Sequence, residues 1–199
     1  DDIIFGASEY VKDGLMPLVE WVGPSPWLDR MDGLLRSLWE QGEANLSPET
    51  APHDSIEVCG ELMQSMSRMY WHTGDGWYKT RCYRLADRYL LERPVTSLEK
   101  IPLRDHGCEI IGGLAEAYVI AARESPEKHA QYKAPLYALL ELILEKGVNE
   151  DGMMPGRFNV QSGEQDWSRD SDGWGYVYDA FLTVAQVDNV PRYQEAVAH

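Results

Sequence analysis

The sequence predicts an all-α protein built from repeated helical hairpins, and three observations carry that reading. An acid stands three residues before a glycine at three places: Glu57 and Gly60, Glu109 and Gly112, Asp172 and Gly175. Each glycine is followed by about one helix of residues, a polar break, and a tyrosine that opens a second helix: Tyr78, Tyr132 and Tyr193. Between the breaks, apolar residues recur at the spacing of a helix with one buried stripe. Hairpins repeated in this way stack into a solenoid or close into a ring.

A first, less regular hairpin is predicted over residues 3–42. Ile4 to Trp21 is amphipathic, although Pro17 and an internal glycine argue against one unbroken helix. Gly23-Pro24-Ser25-Pro26 is a break. Trp27 to Gln41 then reads as a helix with Met31, Leu34, Leu35, Leu38 and Trp39 on one side. Gly42 to His53 reads as loop.

The second hairpin, residues 53–92, begins with Asp54 or Ser55 as N-cap and carries Val58, Leu62, Met66, Met69 and Tyr70. Gly74 suits a left-handed C-cap. A helix from Trp77 to Leu91 follows, closed by Pro94.

The third hairpin, residues 105–146, carries Ile110, Leu114, Ala117, Tyr118 and Ala121, breaks at Ser125-Pro126, and returns as Glu127 to Lys146. Pro135 would kink that helix or mark its true start. The loop over residues 148–170 is predicted to hold one short β-hairpin. Arg157-Phe158-Asn159-Val160 lies there between the turn signals Asp151-Gly152 and Gln161-Ser162-Gly163-Glu164. The last hairpin, residues 171–199, carries Tyr176, Val177, Ala180, Phe181, Val184 and Val187 before a break at Asp188-Asn189-Val190-Pro191. In a ring, the first helix of each pair lines the inside. The longer loops then gather where those inner helices begin.

Apolar content of 44% and charged content of 26% are those of a soluble globular protein, and 199 residues suffice for one domain. The net charge of −15 argues against nucleic acid, whose phosphates need a basic face. It argues more weakly against a polyanionic substrate such as a uronic-acid polymer. Cys59, Cys82 and Cys108 have no metal-site spacing and are expected to be buried free thiols. Asp170-Ser171-Asp172-Gly173 matches only a scrap of a calcium loop, so no metal is expected, and no cofactor motif is present.

No stretch reads as a signal peptide or membrane span, and no membrane partner is expected. Both ends read as the interior of a longer chain, which leaves the compartment open.

The chemistry concentrates in Leu103-Arg104-Asp105-His106-Gly107-Cys108-Glu109, where two acids and an imidazole open an apolar helix. Charges at such a mouth are costly unless they meet water, a partner or a ligand. Four stretches join it: Glu57-Val-Cys-Gly60, Arg68 through Asp75, Asp151-Gly152-Met153, and Asp172-Gly173-Trp174-Gly175-Tyr176. Together these residues resemble the six-hairpin glycosidase-like (α/α)6 toroids, over roughly Pro52 to the C-terminus.

The resemblance implies six inner and six outer helices around a carbohydrate cleft at the start of the inner helices. This chain supplies three or four hairpins. The partners it implies are an oligosaccharide or polysaccharide and the remainder of the ring.

By the same resemblance, two carboxyl groups about 6.5–9.5 Å apart would hydrolyse a glycoside, one donating a proton and one activating water. Neighbouring inner helices lie about 8–10 Å apart, so Glu109 and Asp172, with Asp105, could meet that separation. Acids in a first helical turn also complement the helix dipole, the simpler account for Glu57, which otherwise joins the substrate-binding set. His106 could be a general base or could orient Asp105 or Glu109. Lyases and epimerases of this fold use histidine and tyrosine, so His106 supports that alternative as well.

Trp174, Tyr176 and Trp167 are candidate sugar-stacking faces, while Trp71 and Trp77 read as packing at the far end. Arg157 and Arg169 could bind hydroxyls or a carboxylate. A third alternative is a non-catalytic sugar-binding or helical-repeat module.

Overall fold

A computed structural model describes residues 2–45 and 52–198. The chain is mostly helical, with one small antiparallel sheet. The first rod joins α1 (Asp2–Glu9), a π-helical stretch over Tyr10–Leu15, and α2 (Met16–Val22), and Gly23 ends it at a φ of 76°. Pro17 therefore does not break the rod, because it falls in the first turn of α2 after the wider π turns. The rod folds back as α3 (Pro26–Asn45). The loop predicted over Gly42 to His53 starts later than expected, and residues 46–51 of it lie outside the described residues.

Three further hairpins follow. α4 (Ile56–Thr73), capped by Gly74 at a φ of 70°, pairs with α5 (Gly76–Asp87), which continues as a π-helical turn over Arg88–Glu92. α6 (Glu109–Glu124) pairs with α7 (Pro126–Lys146), which runs through Pro135 without ending. α8 (Trp174–Asp188) pairs with α9 (Pro191–Ala198). The first rod packs on α4, α4 on α6, and α6 on α8, while α3, α5, α7 and α9 back their own partners. The first-rod residues Ile3, Tyr10, Leu18, Trp21 and Val22 remain exposed.

Two contacts set this array. At the α4–α6 crossing, backbone meets backbone. A Cβ on Gly60 would lie 2.4 Å from the carbonyl carbon of Glu109, and one on Gly113 would lie 2.6 Å from Gly60 O. The glycines of the repeated acid-to-glycine pattern are not equivalent in space, since Gly112 faces Gln64 and Gly175 faces open space.

The repeated tyrosines tie the outer helices. Tyr78 Oη donates to Asp32 on α3, and Tyr132 Oη donates to Asp87 on α5 at 2.6 Å. Tyr193 lies against Glu141 on α7, and burial together with that carboxylate raises its pKa. Asp87 and Glu141 stand at the same offset from Tyr78 and Tyr132, so α5 and α7 each carry both halves of the tie.

The short hairpin expected in residues 148–170 is present as β2 (Pro155–Asn159) and β3 (Gln165–Asp170), with Gly163 at a φ of 74° in its turn. A third strand, β1 (Lys100–Pro102), pairs with β2 so that Ile101 lies opposite Phe158. Three residues ending in proline are too short for an alternating pattern to register. Leu103 N donates to Gly156 O, and Ser171 Oγ donates to Leu103 O at 2.5 Å. These bonds bring the sheet to the end where α6 and α8 begin. Cys59, Cys82 and Cys108 are buried free thiols. Among the described residues no helix is long and apolar enough to cross a membrane.

Replacing Gly60 by Ala should destabilise the fold by about 1–3 kcal/mol, because backbone atoms cannot yield as a side chain can. Gly175→Ala should be neutral or stabilise by up to about 1 kcal/mol through helix propensity. Urea midpoints of the two variants test this, and equal midpoints would refute the crossing as the constraint. Tyr132→Phe should cost about 1–2 kcal/mol by removing one bond to Asp87, with Lys128 left in place, in the same assay.

Candidate functional site

α4 carries Glu57, Glu61, Gln64 and Arg68 at successive helical spacings along one face. α6 presents Glu109, Gly112 and Glu116, and α8 presents Gly175, Tyr176 and Asp179, with Asp172 just before it. These faces look toward one another, and the first rod adds Ser8 and Lys12. The result is a polar interior flanked by four rods.

At the mouth, Glu57 and His106 form a dyad with Oε1 and Nδ1 2.6 Å apart. Glu57 is buried and His106 more than half exposed. His106 has a φ of 68°, which is uncommon outside glycine. Its ring lies 5.8 Å from that of Phe5, and its Nε2 lies 3.6 Å from Asp105 Oδ2. The hydrogen bond to Glu57 raises the histidine pKa. Beside it, Asp172 Oδ1 accepts from Asp105 N at 2.8 Å, and this bond lowers the Asp172 pKa, with Arg169 and Arg104 adding to the effect. Glu57, Glu109 and Asp172 thus share one end of the array.

Behind the dyad lies a buried charge cluster. Glu61 is 2% exposed and Lys12 3%. Ser8 Oγ donates to Glu61 Oε2 at 2.5 Å. Burial pushes the Glu61 pKa up to about 7, against the pull of Ser8 and Lys12. Burial alone would lower Lys12, but Asp13, Glu109 and Glu61 outweigh it and hold it above the ordinary lysine value. Its Nζ sits 4.9 Å from the centre of the Tyr176 ring. Glu109 is 2% exposed, its pKa is raised by burial, and among the described residues its Oε2 has no hydrogen-bond partner.

Below the mouth opens a groove of about 430 Å³ between α4, α6 and α8. Gln64, Arg68 and Glu116 line one side, and Asp172, Trp174, Tyr176 and Asp179 the other. Arg68 Nη2 donates to Glu116 Oε1 at 3.0 Å and Nε at 3.2 Å, and Glu20 lies 3.8 Å from Nε. Burial raises the Glu116 pKa in spite of Arg68. The groove therefore holds one carboxyl group whose pKa burial raises and one whose pKa the Asp105 amide lowers.

The structure brings Asp105, His106, Glu57, Glu109 and Asp172 together at the mouth, and Trp174 and Tyr176 into the groove. Glu109 is enclosed and does not line the groove. Trp167 and Arg157 instead border a separate hollow on the sheet, where Arg157 pairs with Asp166 at 2.8 Å. Arg169 lines a small cavity with Arg104 and reaches the site only through its effect on Asp172.

Sequence reading missed Lys12, Glu61, Gln64, Arg68, Glu116 and Asp179. A signal was present, for Gln64, Glu116 and Asp179 each stand two helical turns after the repeated acid. Among the described residues no group of three or more His, Cys, Asp or Glu is arranged to hold a metal ion. No family model, curated protein or solved structure matches the chain.

Glu61 makes stability depend on pH. Its folded pKa of about 7 exceeds the ordinary 4.5, so the folded state binds the proton more tightly than the unfolded chain. That stability is complete below the ordinary pKa and lost as pH rises through the folded one, a loss on the order of 3 kcal/mol. Glu61→Gln cannot titrate, so it should gain on the wild type between about pH 5 and pH 8 in urea denaturation. Parallel pH dependences would show that Glu61 keeps an ordinary pKa.

Proposed function

We propose that the chain forms part of a carbohydrate-active (α/α) toroid and acts as a glycoside hydrolase in the groove between α4, α6 and α8. The observation that carries the reading is a pair of groove carboxyl groups held in opposite protonation preferences beside two aromatic faces. Asp172, its pKa lowered by the Asp105 amide, is the base that activates water. Glu116, raised by burial, takes the acid's part, and it replaces Glu109 in the expected carboxyl pair because Glu109 is enclosed. Environments that push two carboxyl groups apart divide the acid and base roles in glycoside hydrolysis. Trp174 and Tyr176, both exposed in the groove, offer faces for the CH side of a pyranose. The remainder of the ring would cover the exposed flank of the first rod.

The Glu57–His106 dyad favours a second reading. A buried carboxylate behind an exposed imidazole orients it as a proton acceptor, as a lyase or epimerase of this fold would need.

Asp172→Asn and Glu116→Gln should each lower turnover of a glycoside by about 10²–10⁴-fold or more with little loss of sugar affinity. Trp174→Ala should weaken binding by about 1–3 kcal/mol. The assay is release of reducing sugar by the complete polypeptide. Full activity in both carboxyl variants with a dead His106→Ala would replace the hydrolase by the second reading. Sugar binding with no turnover in the wild type would leave a non-catalytic module.

A further inference from the structure

The groove holds more hydrogen-bond acceptors than donors. Gln64 is 3% exposed, and its Nε2 is spent on Glu109 O at 3.1 Å. Gln64 lines the groove, and its Oε1 has, among the described residues, no protein hydrogen-bond partner. Asp179 lines the opposite wall and, among the described residues, has neither hydrogen bond nor ion pair. Among the described residues, Arg68 is the one cationic side chain lining the groove, and Glu116 and Glu20 already engage it. Asp172 adds a carboxylate kept ionised by the Asp105 amide. An amide oxygen with no protein donor is free to accept a hydrogen bond from a ligand in place of solvent.

We infer that the saccharide this groove accepts carries a protonated amino group, as in a glucosamine-type hexosamine. The inference rests on the carbohydrate reading and names its substrate class. An ammonium supplies three donors and a positive charge, and takes no acceptor's place. Set between Gln64 Oε1 on α4 and Asp179 on α8, it satisfies the unpartnered oxygen and offsets part of the groove's negative charge. The sugar ring then lies toward Trp174 and Tyr176. An N-acetylated sugar keeps one N–H but loses the charge, a neutral glucan offers only hydroxyls, and a uronate adds charge of the wrong sign.

Titration calorimetry of the complete polypeptide would compare tetramers of one linkage: β-1,4-glucosamine, its N-acetylated counterpart, the glucose tetramer and a uronic-acid tetramer. The glucosamine tetramer should bind about tenfold more tightly than the N-acetylated or glucose form, with an advantage that shrinks in high salt. Asp179→Asn should erase most of that preference while leaving affinity for the glucose tetramer unchanged. Gln64→Met should act in the same direction, and Asp179, being exposed, keeps the test available if that core variant fails to fold.

Equal affinity for the glucosamine and N-acetylated tetramers, or preference for the uronate, overturns the amino-sugar inference and leaves the carbohydrate reading standing. An Asp179→Asn variant that loses the glucose tetramer equally also overturns it. Absence of binding by every tetramer overturns both.

Discussion

The close approach of α4 and α6 at Gly60 and Gly113 governs where the charges of this protein can go. With no side chain between the helices, the start of α6 lies against the second turn of α4. Glu109 is therefore enclosed by α4 and the first rod, near Glu57, Glu61 and Lys12. Water that would solvate these carboxylates is displaced, and desolvation becomes the leading cause of the raised pKa at Glu61 and at Glu109. A wider crossing would readmit water and return both groups toward ordinary acids. Helix geometry and acid strength are thus one property.

α4 packs against the first rod, α5 and α6, and a helix so surrounded would ordinarily be apolar all round. α4 departs from this with a row of polar residues that must each be satisfied. Glu57 meets His106, Glu61 meets Ser8, Gln64 meets the Glu109 carbonyl, and Arg68 meets Glu116. Among the described residues, Glu109 Oε2, Gln64 Oε1 and Asp179, on or beside the groove, have no such partner. The carboxylates that tie helices together contrast with this. Asp87 takes bonds from Tyr132 and from Lys128, and Asp188 takes them from Tyr118 and Tyr137. Those carboxylates are saturated and hold helices together, whereas the interior row retains free capacity.

The hairpins were legible because glycine, proline and tyrosine punctuate the chain at the points where helices must cap, cross or tie. The acid-to-glycine pattern also located the mouth, since an acid recurs in or just before the first turn of α4, α6 and α8. Other features depend on segments that sequence does not bring together. Glu109 is buried because the first rod closes over it, which its own helix cannot announce. Lys12 sits in a π-helical stretch, where the wider turn shifts the side-chain register away from the period used to read amphipathicity. Trp167 precedes Asp172 by only five residues, but in extended strand that is roughly 16 Å of path, enough to carry it onto the sheet. Glu116 was readable from periodicity and was overlooked in favour of the more conspicuous acid two turns earlier.

The loop from Arg104 to Cys108 couples the mouth to the groove. His106 occupies a left-handed conformation that costs a non-glycine residue about 1–2 kcal/mol and persists only where its surroundings over-determine it. They do so from several sides. Cys108 N donates to Arg104 O, Asp105 N donates to Asp172, and Gly107 lies so close to Pro102 that a Cβ there would sit 2.3 Å from the ring. The Asp105 bond that fixes this loop is also the first cause of the lowered Asp172 pKa. The residue that presents His106 to Glu57 thus adjoins the amide that lowers the Asp172 pKa, so one backbone loop positions both candidate reaction centres.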